Sequence, residues 1–479
     1  MKKIITLTAL SLLIAASAGA QTMYDAANIA SKDLNGTARF VGMGGAMGAL
    51  GGDISTIGTN PAGIGIYRSN DIMTSFGFSG YGTESKFGGD QFNSNMTRGS
   101  FDNIGVVFSS KIGNQTPLRY VNFGFNYKKA KSFNRNMEMG GNIGQNSQTF
   151  QMANQANGIT GWGDNPYTDS DIGWLSILGF DSGLINDIMS QPDLDQALEG
   201  NPGLKYKKYL DKNDNQLKDI EGNLLYITPG SYRGMYDNAN TKFRSQERGG
   251  IDQYDFNLSF NLNDRIYLGA TIGAYSVNYS KYSFYDEDYQ NGEGYNIQSW
   301  NKIKGSGFDL KFGMILRPFE YSPLRIGLAL HTPTFYSLEL ATSARIESDV
   351  FNIETGEVDH RNIDSYGELK DKDMVREFNL RTPWVYNLSL GYTVGKSLAL
   401  GAEYEYQDYA SMRFNYPEGG EMTYETSTVK KMLKGVHTLR LGAEYKVIPQ
   451  FALRAGYNFS STAFENDAYK ALDYNSINT

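Results

Sequence analysis

Paired acidic and basic residues near the carboxyl end have the types and spacing that acid–base chemistry requires. Glu403 and Glu405 stand two apart, so in a strand both side chains lie on one face and could act as acid and base. Arg440, Glu444 and Arg454 lie on the polar face of the next two segments. Because carboxylates and guanidinium groups on neighbouring strands attract one another, we predict that Arg440 and Arg454 face Glu403 and Glu405. The result would be a charge network that lines and stiffens a wall rather than a catalytic pair.

The three histidines, His331, His360 and His437, are the other candidates for chemistry. His331 has the parity of a polar face and could approach haem iron, but a lone histidine is more often a buried polar residue with its own hydrogen-bond partner. His360 is predicted in a polar loop, and His437 on an apolar face near its rim. The chain has no cysteine, which excludes disulfides and thiolate metal sites. We predict no metal and no cofactor.

Two further motifs look like ligand loops. The sequence GMGGAMG, beginning at Gly42, resembles a dinucleotide fingerprint, but its sixth position is Met47 where glycine is required, and no apolar strand precedes it. The sequence DKNDNQ, beginning at Asp211, resembles a calcium loop, but Gln216 replaces the glycine of the sharp turn. We predict no nucleotide site and interpret the second motif as a solvated polar turn.

A glycine-dense stretch occupies residues 34–78, and ten of its residues between Gly36 and Gly65 are glycine. So many glycines predict tight irregular turns in place of a helix or strand. The candidate functional residues here are the turn Asn60, Pro61, Ala62 and Gly63 and the glycines Gly42, Gly44, Gly45, Gly48, Gly51 and Gly52. Their backbone could shift between packings and act as a gate, or it could only fit this segment into its surroundings.

Hydrophobic alternation identifies the elements that must position these residues. Apolar residues recur at a spacing of two in eleven segments, which predicts an all-β protein. The segments are 72–78, 104–108, 121–127, 256–262, 266–272, 308–314, 324–330, 384–392, 398–406, 439–445 and 451–459. Their alternate positions are glycine and charge, as in Asp309 and Lys311. This pattern fits a membrane barrel or a soluble sandwich.

Connection lengths favour a transmembrane antiparallel β-barrel. Short turns, such as 263–264 and 395–396, alternate with long connections, such as 80–100 and 348–373. In a barrel the short turns face the periplasm and the long ones face outside, and aromatic residues at strand ends form interface girdles. The longest connection, residues 132–246, is predicted as an extracellular insertion. Residues 174–189 within it have helical spacing and are expected to pack across the outer mouth.

The first twenty residues have two lysines, an apolar run and the sequence Ala18-Gly19-Ala20, which is typical of a cleaved signal peptide. The protein is therefore expected to leave the cytoplasm. The net charge of −8 argues against nucleic acid as a partner.

The run GTARFVGMGGAMGALGGDISTIGTNPAGIG resembles the hatch of the FadL/TodX family of outer-membrane transporters, whose NPA motif matches Asn60 to Ala62. The richness in Asn, Tyr and Gly is similar to the Bacteroidetes branch, whose members are often labelled hemin receptors. The resemblance implies a barrel of about fourteen strands with an N-terminal hatch inside its lumen. Residues 1–20 are then the signal peptide, 21–68 the hatch and 69–479 the barrel.

The resemblance also implies a function. The protein is expected to be a passive, porin-like diffusion channel for long-chain fatty acids or other hydrophobic small molecules, and not an enzyme. Ligand would bind at the outer mouth, displace the hatch and leave sideways into the bilayer. Expected partners are outer-membrane lipid and the barrel-assembly machinery, and the expected state is a monomer. A haem receptor on the same scaffold, or a non-transporting adhesin or structural barrel, are the alternatives.

One feature departs from the family pattern. Eleven strands are an odd number, whereas single-chain outer-membrane barrels have an even number, and residues 460–479 are polar. We expect that this sequence lacks about three strands of the natural barrel.

Overall fold

The computed structural model describes residues 23–468 except 88–89, 145, 160–161, 170–171, 220, 235–237, 290, 353–354, 449 and 467. The predicted signal peptide, residues 1–20, lies outside this range. Within it, no helix has both the length and the apolar character needed to span a bilayer.

The alternating rows of side chains produce long antiparallel strands. The strands are β1 Asp71–Phe87, β2 Asp90–Lys111, β3 Leu118–Ser132, β4 Arg135–Gly144, β5 Ile188–Ser190, β6 Lys207–Lys208, β7 Leu225–Ile227, β8 Ala239–Leu262, β9 Ile266–Asp288, β10 Gly294–Leu316, β11 Arg325–His331, β12 Phe335–Asn352, β13 Glu357–Asp364, β14 Met374–Arg381, β15 Val385–Val394, β16 Leu398–Asp408, β17 Arg413–Asn415, β18 Gly435–Ile448 and β19 Phe451–Ser460.

Helices are few and short. They are α1 Met23–Ala30, α2 Ala38–Gly42, α3 Thr149–Asn157, α4 Trp174–Asp181, α5 Gln191–Gly200, α6 Ser365–Glu368 and α7 Thr423–Met432. Most of them lie before the first strand or in connections between strands, so the sheet supplies the framework of the molecule.

One sheet runs in the order β1-β2-β3-β8-β9-β10-β11-β15-β16-β18-β19, and it curls into a half-barrel. All eleven predicted strands are present, and the predicted all-β antiparallel class is confirmed. β12 and β14 continue β11 and β15 beyond short interruptions at Pro333 and Pro383. Since proline has no backbone N–H, each breaks the ladder, and Thr334 and Thr382 bond to one another beside the break.

The outward face of the sheet is an apolar band that ends in aromatic residues. On β15, for example, Leu388 and Leu390 lie between Tyr386 and Tyr392, and all four are exposed. Exposed apolar rows of this kind are stable where they contact lipid. The inward face carries small and polar residues, among them Asn122, Asn126, Asp255, Asn257 and Ser259, and these are buried.

Two of the predicted long connections are wrong in part, because strands extend into them. β1 and β2 extend over residues 80–87 and 90–100, and β12 and β13 extend over 348–352 and 357–364. His360 consequently lies on β13, where Nδ1 is 2.9 Å from Asp349 Oδ1, and not in a loop. Beyond the apolar band both faces of these strands carry polar residues. The hydrophobic alternation therefore disappears while the backbone ladder continues.

The irregular part of the predicted insertion 132–246 is shorter than expected, because β4 and the start of β8 occupy its two ends. Within it, α4 falls inside the predicted helical region. Its residues Trp174 and Leu175 are buried with Phe243 of β8 in one apolar cluster. This helix therefore covers the inner side of the strand ends.

We predict that an arginine on the apolar band destabilises the barrel. Leu268 and Asn278 lie on the same strand, β9, and both are exposed on its outward face. Leu268→Arg should cost about 2–4 kcal/mol, because the guanidinium enters hydrocarbon. The matched change Asn278→Arg, beyond the band, should cost less than about 0.5 kcal/mol. Unfolding by guanidinium chloride in phosphatidylcholine vesicles measures the loss of stability in both variants. Equal losses would contradict a lipid-facing band.

Candidate functional site

The N-terminal segment, residues 23–68, is held compact by side-chain caps. Thr37 caps α2 by accepting a hydrogen bond from Phe40 N at 3.1 Å. Asp53 caps the following 3₁₀ turn, Ile54–Gly58, through Ser55 N at 2.9 Å. Thr37 Oγ1 also donates to Asp53 Oδ2 at 2.7 Å, which joins the two turns. The segment is therefore a folded unit although glycine makes it irregular.

This segment follows the inner circumference of the sheet. As the chain proceeds from residue 43 to residue 61, the strands that it contacts run from the carboxyl-terminal end of the sheet back toward β9. Gly44 lies against Gly456 of β19, Met43 against Gly442 of β18, Ala46 against Gly401 of β16, Asn60 against Gly313 of β10, and Pro61 against Gly269 of β9. A segment of this length can touch so many strands only because the sheet wraps around it.

The curled sheet forms a wall around the N-terminal segment, and glycines of this wall make the close approach possible. A Cβ on Gly401 would lie 2.0 Å from Ala46 O, and one on Gly442 would lie 2.4 Å from Met43 O. Gly401, Gly442 and Gly456 are directly paired across β16, β18 and β19, so they form a continuous row without side chains. Backbone therefore packs on backbone, which only glycine allows.

Sequence reasoning missed this glycine row, although a signal was present. The pattern Leu-Gly-Ala recurs at 400–402 and 441–443, and Ala-Gly-Tyr occurs at 455–457. In each case the glycine stands on the inward face between outward apolar residues. A glycine at one height on successive strands indicates a close approach of another backbone.

The predicted turn Asn60–Gly63 is anchored to two strands. Asn60 is fully buried, and its Oδ1 accepts from Ala62 N at 3.1 Å while its Nδ2 donates to Met314 O at 3.3 Å. Pro61 O accepts from Ser259 Oγ at 3.0 Å. The turn is thereby bonded to β8 and β10.

The predicted glycines lie against the wall or against one another. Gly44 has φ +62°, and a Cβ there would lie 2.7 Å from Tyr457 N, so both conformation and space require glycine. A Cβ on Gly42 or Gly45 would approach Arg454 or Arg440 to 3.3 and 3.1 Å. Gly51, Gly52 and Gly63 meet inside the segment, where Gly52 N donates to Gly63 O at 3.1 Å.

The predicted charge network divides into two. In the first, Arg440 Nη1 bonds to Glu403 Oε1 at 2.6 Å and to Glu405 Oε2 at 3.1 Å, and both carboxylates are buried. Glu403 Oε2 also accepts from Gly48 N at 3.0 Å. A wall carboxylate therefore receives a backbone N–H of the N-terminal segment. This leaves no free acid–base pair.

The second network contains Glu444 and Arg454, so the expectation that Arg454 faces Glu403 and Glu405 is wrong. Arg454 Nε lies 2.7 Å from Glu444 Oε2, and Arg39 Nε lies 2.9 Å from the same oxygen. Arg39 Nη1 also donates to Gly52 O at 3.0 Å. Arg39 is a residue that sequence reasoning missed, because its partner is distant in the chain.

His331 is buried on the inward face, and its ring also contacts the N-terminal segment. Nε2 donates to Thr59 O at 2.9 Å. This nitrogen is therefore occupied by a backbone carbonyl. Nearby, Lys311 Nζ lies 2.6 Å from Asp255 Oδ1 and 3.2 Å from Asp309 Oδ1, with all three side chains buried. His437 lies on the outward face and bonds to Tyr404 OH through Nδ1 at 2.7 Å.

The wall opens between β2 and β3. Their pairing ends at Asn103↔Lys128, although both strands continue, and β2 has a bulge at Asp102. Asn35 lies between the two strands where they separate, because its Nδ2 donates to Asp102 Oδ1 of β2 at 3.3 Å and to Lys129 O of β3 at 3.1 Å. A side chain of the N-terminal segment thus replaces the missing ladder bonds.

A cleft of about 1190 Å³ lies at this opening. It is bordered by inward-facing Ser79 and Ser100, by exposed outward-facing Phe78 and Phe101, and by residues 33–36 of the N-terminal segment. Because residues of both faces border the same space, the cleft connects the outside of the wall with the N-terminal segment. Its rim is aromatic and its floor is polar.

We predict that Gly401→Val displaces the N-terminal segment. The new Cβ would meet the backbone of Ala46, which cannot move as a flexible side chain can, so the cost should be about 1–3 kcal/mol. A lowered thermal midpoint and faster tryptic cleavage near Arg39 would report it. Gly113→Val, where no atom lies within 4 Å of the new Cβ, is the control. Wild-type cleavage of Gly401→Val would contradict the backbone contact.

Three solved structures align with most of the chain. A Pseudomonas aeruginosa FadL homologue is 13% identical, with 91% of this chain and 82% of that chain covered and a TM-score of 0.42. The Ralstonia pickettii toluene transporter TbuX is 11% identical, with 90% and 88% covered and a TM-score of 0.39. The Pseudomonas putida toluene transporter TodX is 10% identical, with 91% and 86% covered and a TM-score of 0.40. FadL and TodX, the two names in the resemblance, thus both occur here.

Among curated proteins, none matches the sequence. A family model described as BamG matches residues 231–470, slightly more than half of the 479 residues. This region runs from the connection before β8 past the end of β19, and it contains the glycine row and the strand residues of both charge networks. The chain therefore belongs to the BamG family.

Proposed function

We propose that this protein conducts hydrophobic small molecules across the outer membrane by passive diffusion. The observation that supports this most is the cleft between β2 and β3, where a molecule inside the curl of the sheet could leave sideways. Phe78 and Phe101 on its rim would meet an apolar ligand at the level of the lipid. No bond is made or broken in such a passage, so the protein is proposed to be a channel and not an enzyme.

Residues 21–68 are proposed to be a hatch that seals the barrel. The wall contacts of Asn60, Pro61 and the glycines from Gly42 to Gly52 would hold it closed. Asp33 to Gly36 of this segment border the cleft, so a ligand that passes through the cleft would have to displace them. Gating is thus assigned to the side of the hatch next to the cleft.

Long-chain fatty acids are the proposed substrates. The apolar band on the outward face of the sheet is suited to contact with outer-membrane lipid. We also propose that the protein is a monomer and that the barrel-assembly machinery inserts it. A haem receptor is disfavoured, because Thr59 O already occupies His331 Nε2.

We predict that Ser79→Trp slows uptake. Ser79 borders the cleft from the inward face of β1, and its side chain makes no hydrogen bond among the described residues. An indole there should obstruct the space with little loss of stability. Uptake of tritiated decanoate by cells that rely on this protein should fall several-fold.

The matched control is Asn278→Trp, which puts the same side chain on the exposed outward face of β9. It should leave uptake unchanged. If Ser79→Trp folds and transports at the wild-type rate, the cleft is not the exit.

We predict that weakening the turn opens the hatch. Asn60→Ala removes the cap on Ala62 N and the bond to Met314 O, which should cost about 1 kcal/mol. Combined with Pro61→Ala, it should raise the entry of labelled fatty acid and of a large polar antibiotic.

Asn93→Ala, at an exposed position of β2, is the comparison variant. A folded Asn60→Ala/Pro61→Ala protein with wild-type uptake and no antibiotic entry would remove the gating role and leave the turn a structural one.

A further inference from the structure

A second recess, which we call the turn-end recess, lies at the end of the sheet that carries the short turns. Its volume is about 240 Å³. The N-terminal segment borders it with Arg39 and residues 50–52, and the wall borders it with Arg325 of β11, residues 395–399 and Lys446 of β18. None of these residues borders the cleft between β2 and β3. In a barrel of the proposed kind, this end of the sheet faces the periplasm.

The turn-end recess carries an excess of positive charge. Four cationic side chains border it, and Glu444 is the one acidic residue at its border within the described chain. The cations are Arg39, Arg325, Lys396 and Lys446. Glu444 is already shared by two guanidinium groups, those of Arg39 and Arg454. The other three bordering cations make no ion pair with any residue that the structure describes.

The two arginines are fixed beside one turn of the N-terminal segment. Arg325 Nη1 donates to Leu50 O at 2.6 Å, and Arg39 Nη1 donates to Gly52 O at 3.0 Å. Arg325 is half-buried, and this is the one hydrogen bond that its side chain makes within the described chain. Because a guanidinium has five N–H donors, most of the donors of Arg325 have no protein acceptor there.

Two hydroxyl groups also border the turn-end recess. Thr393 lies on the inward face of β15, and Ser397 lies in the turn that follows this strand. Neither side chain makes a hydrogen bond to another described residue. Since a hydroxyl group can donate to an anion, the recess offers guanidinium, ammonium and hydroxyl donors together.

The size and charge of the recess indicate a small anionic group as its ligand. Sites for whole drug-sized molecules occupy about 300–1,000 Å³, so 240 Å³ suits a single group. A phosphoryl group offers three or more acceptor oxygens and nearly two negative charges, whereas a carboxylate offers two oxygens and one charge. Guanidinium groups match the oxygens of a phosphate with paired N–H donors. Donors on both the segment and the wall therefore favour a phosphoryl group.

We propose that the turn-end recess binds a phosphoryl group, with Arg325, Lys396 and Lys446 as its ligands on the wall. Arg39 belongs to the N-terminal segment, so the bound anion joins this segment to the wall. The group comes from inorganic phosphate or from a phospholipid head group. Val394 directly precedes the turn and is exposed on the apolar outward face, so the turn lies at the border of the lipid-facing band. The site does not depend on the proposed transport.

The test is isothermal titration calorimetry of the purified protein in octyl glucoside, with inorganic phosphate as the probe and chloride at a fixed ionic strength. Wild type should bind phosphate. Arg325→Met should bind it about tenfold more weakly or worse, because at least one charge-assisted hydrogen bond is lost. The matched control is Lys111→Met, which removes an exposed lysine from the same end of the sheet but outside the recess, and it should bind as wild type does.

Thermal midpoints provide a second readout. Phosphate should raise the midpoint of wild type and of Lys111→Met more than that of Arg325→Met, because a ligand that binds only the folded protein stabilises it. If Arg325→Met does not fold, since it also loses the donor to Leu50 O, the double variant Lys396→Met/Lys446→Met replaces it. Both of these lysines are exposed, and the double variant should bind phosphate several-fold more weakly than wild type.

Dihexanoyl phosphatidic acid identifies the source of the phosphoryl group. Tighter binding of this lipid than of inorganic phosphate, lost in Arg325→Met and not reproduced by uncharged dihexanoylglycerol, would identify a lipid head group. The reverse order would identify free phosphate. Equal phosphate binding by wild type and the recess variants would mean an adventitious ion only and would overturn the site, as would failure of wild type to bind either compound. Loss of fatty acid uptake would bear on the channel alone.

Discussion

Contact between one backbone and another, with no side chain between them, is the constraint on which the rest of the structure depends. The row Gly401, Gly442 and Gly456 lets residues 43–46 lie directly on the wall. Any Cβ there would push the N-terminal segment inward and break the bonds that Gly48 N and Arg39 make to Glu403 and Glu444. The charged pairs can form only because the glycines first bring the two backbones together. Packing therefore precedes electrostatics in this site.

The outer and inner faces of the sheet meet opposite demands. Outside, side chains must be apolar, since lipid offers no hydrogen bonds. Inside, polar side chains such as Asn122 and Asn257 are buried by the N-terminal segment, and many of them bond to its carbonyl groups, as Asn122 Nδ2 does to Ile64 O at 2.7 Å. The irregular turns of that segment leave backbone carbonyls unpaired, and the wall supplies the donors. A glycine-rich segment and a polar wall are thus two halves of one arrangement.

The sequence predicted the strands within the apolar band well, because period-two alternation depends only on each residue's own face. It failed above the band, where β1 and β2 extend over residues 80–87 and 90–100 and β12 and β13 over 348–352 and 357–364, although neither face is consistently apolar there. It placed His331, Glu403, Glu405, Arg440, Glu444 and Arg454 on the polar face, where the structure has them. It could not assign partners, so Arg39 was missed and Arg454 was joined to the wrong carboxylates. The opening at Asn103 depends on how two strands diverge, and no local pattern encodes that.

The glycine-rich part of the N-terminal segment, which is the proposed seal, and the part beside the cleft contact the sheet in different ways. Residues 42–65 are almost entirely buried and touch the wall through backbone, so moving them would disturb many strands at once. Residues 32–38 are tied chiefly by single side-chain bonds, such as those of Asp33 and Asn35, and several of them are exposed. Opening free energies vary along a structure with the number of buried contacts that must be broken. In the proposed channel, the part next to the cleft could therefore rearrange while the glycine-lined part keeps its contacts with the sheet, so the proposed lateral path does not require the whole segment to move.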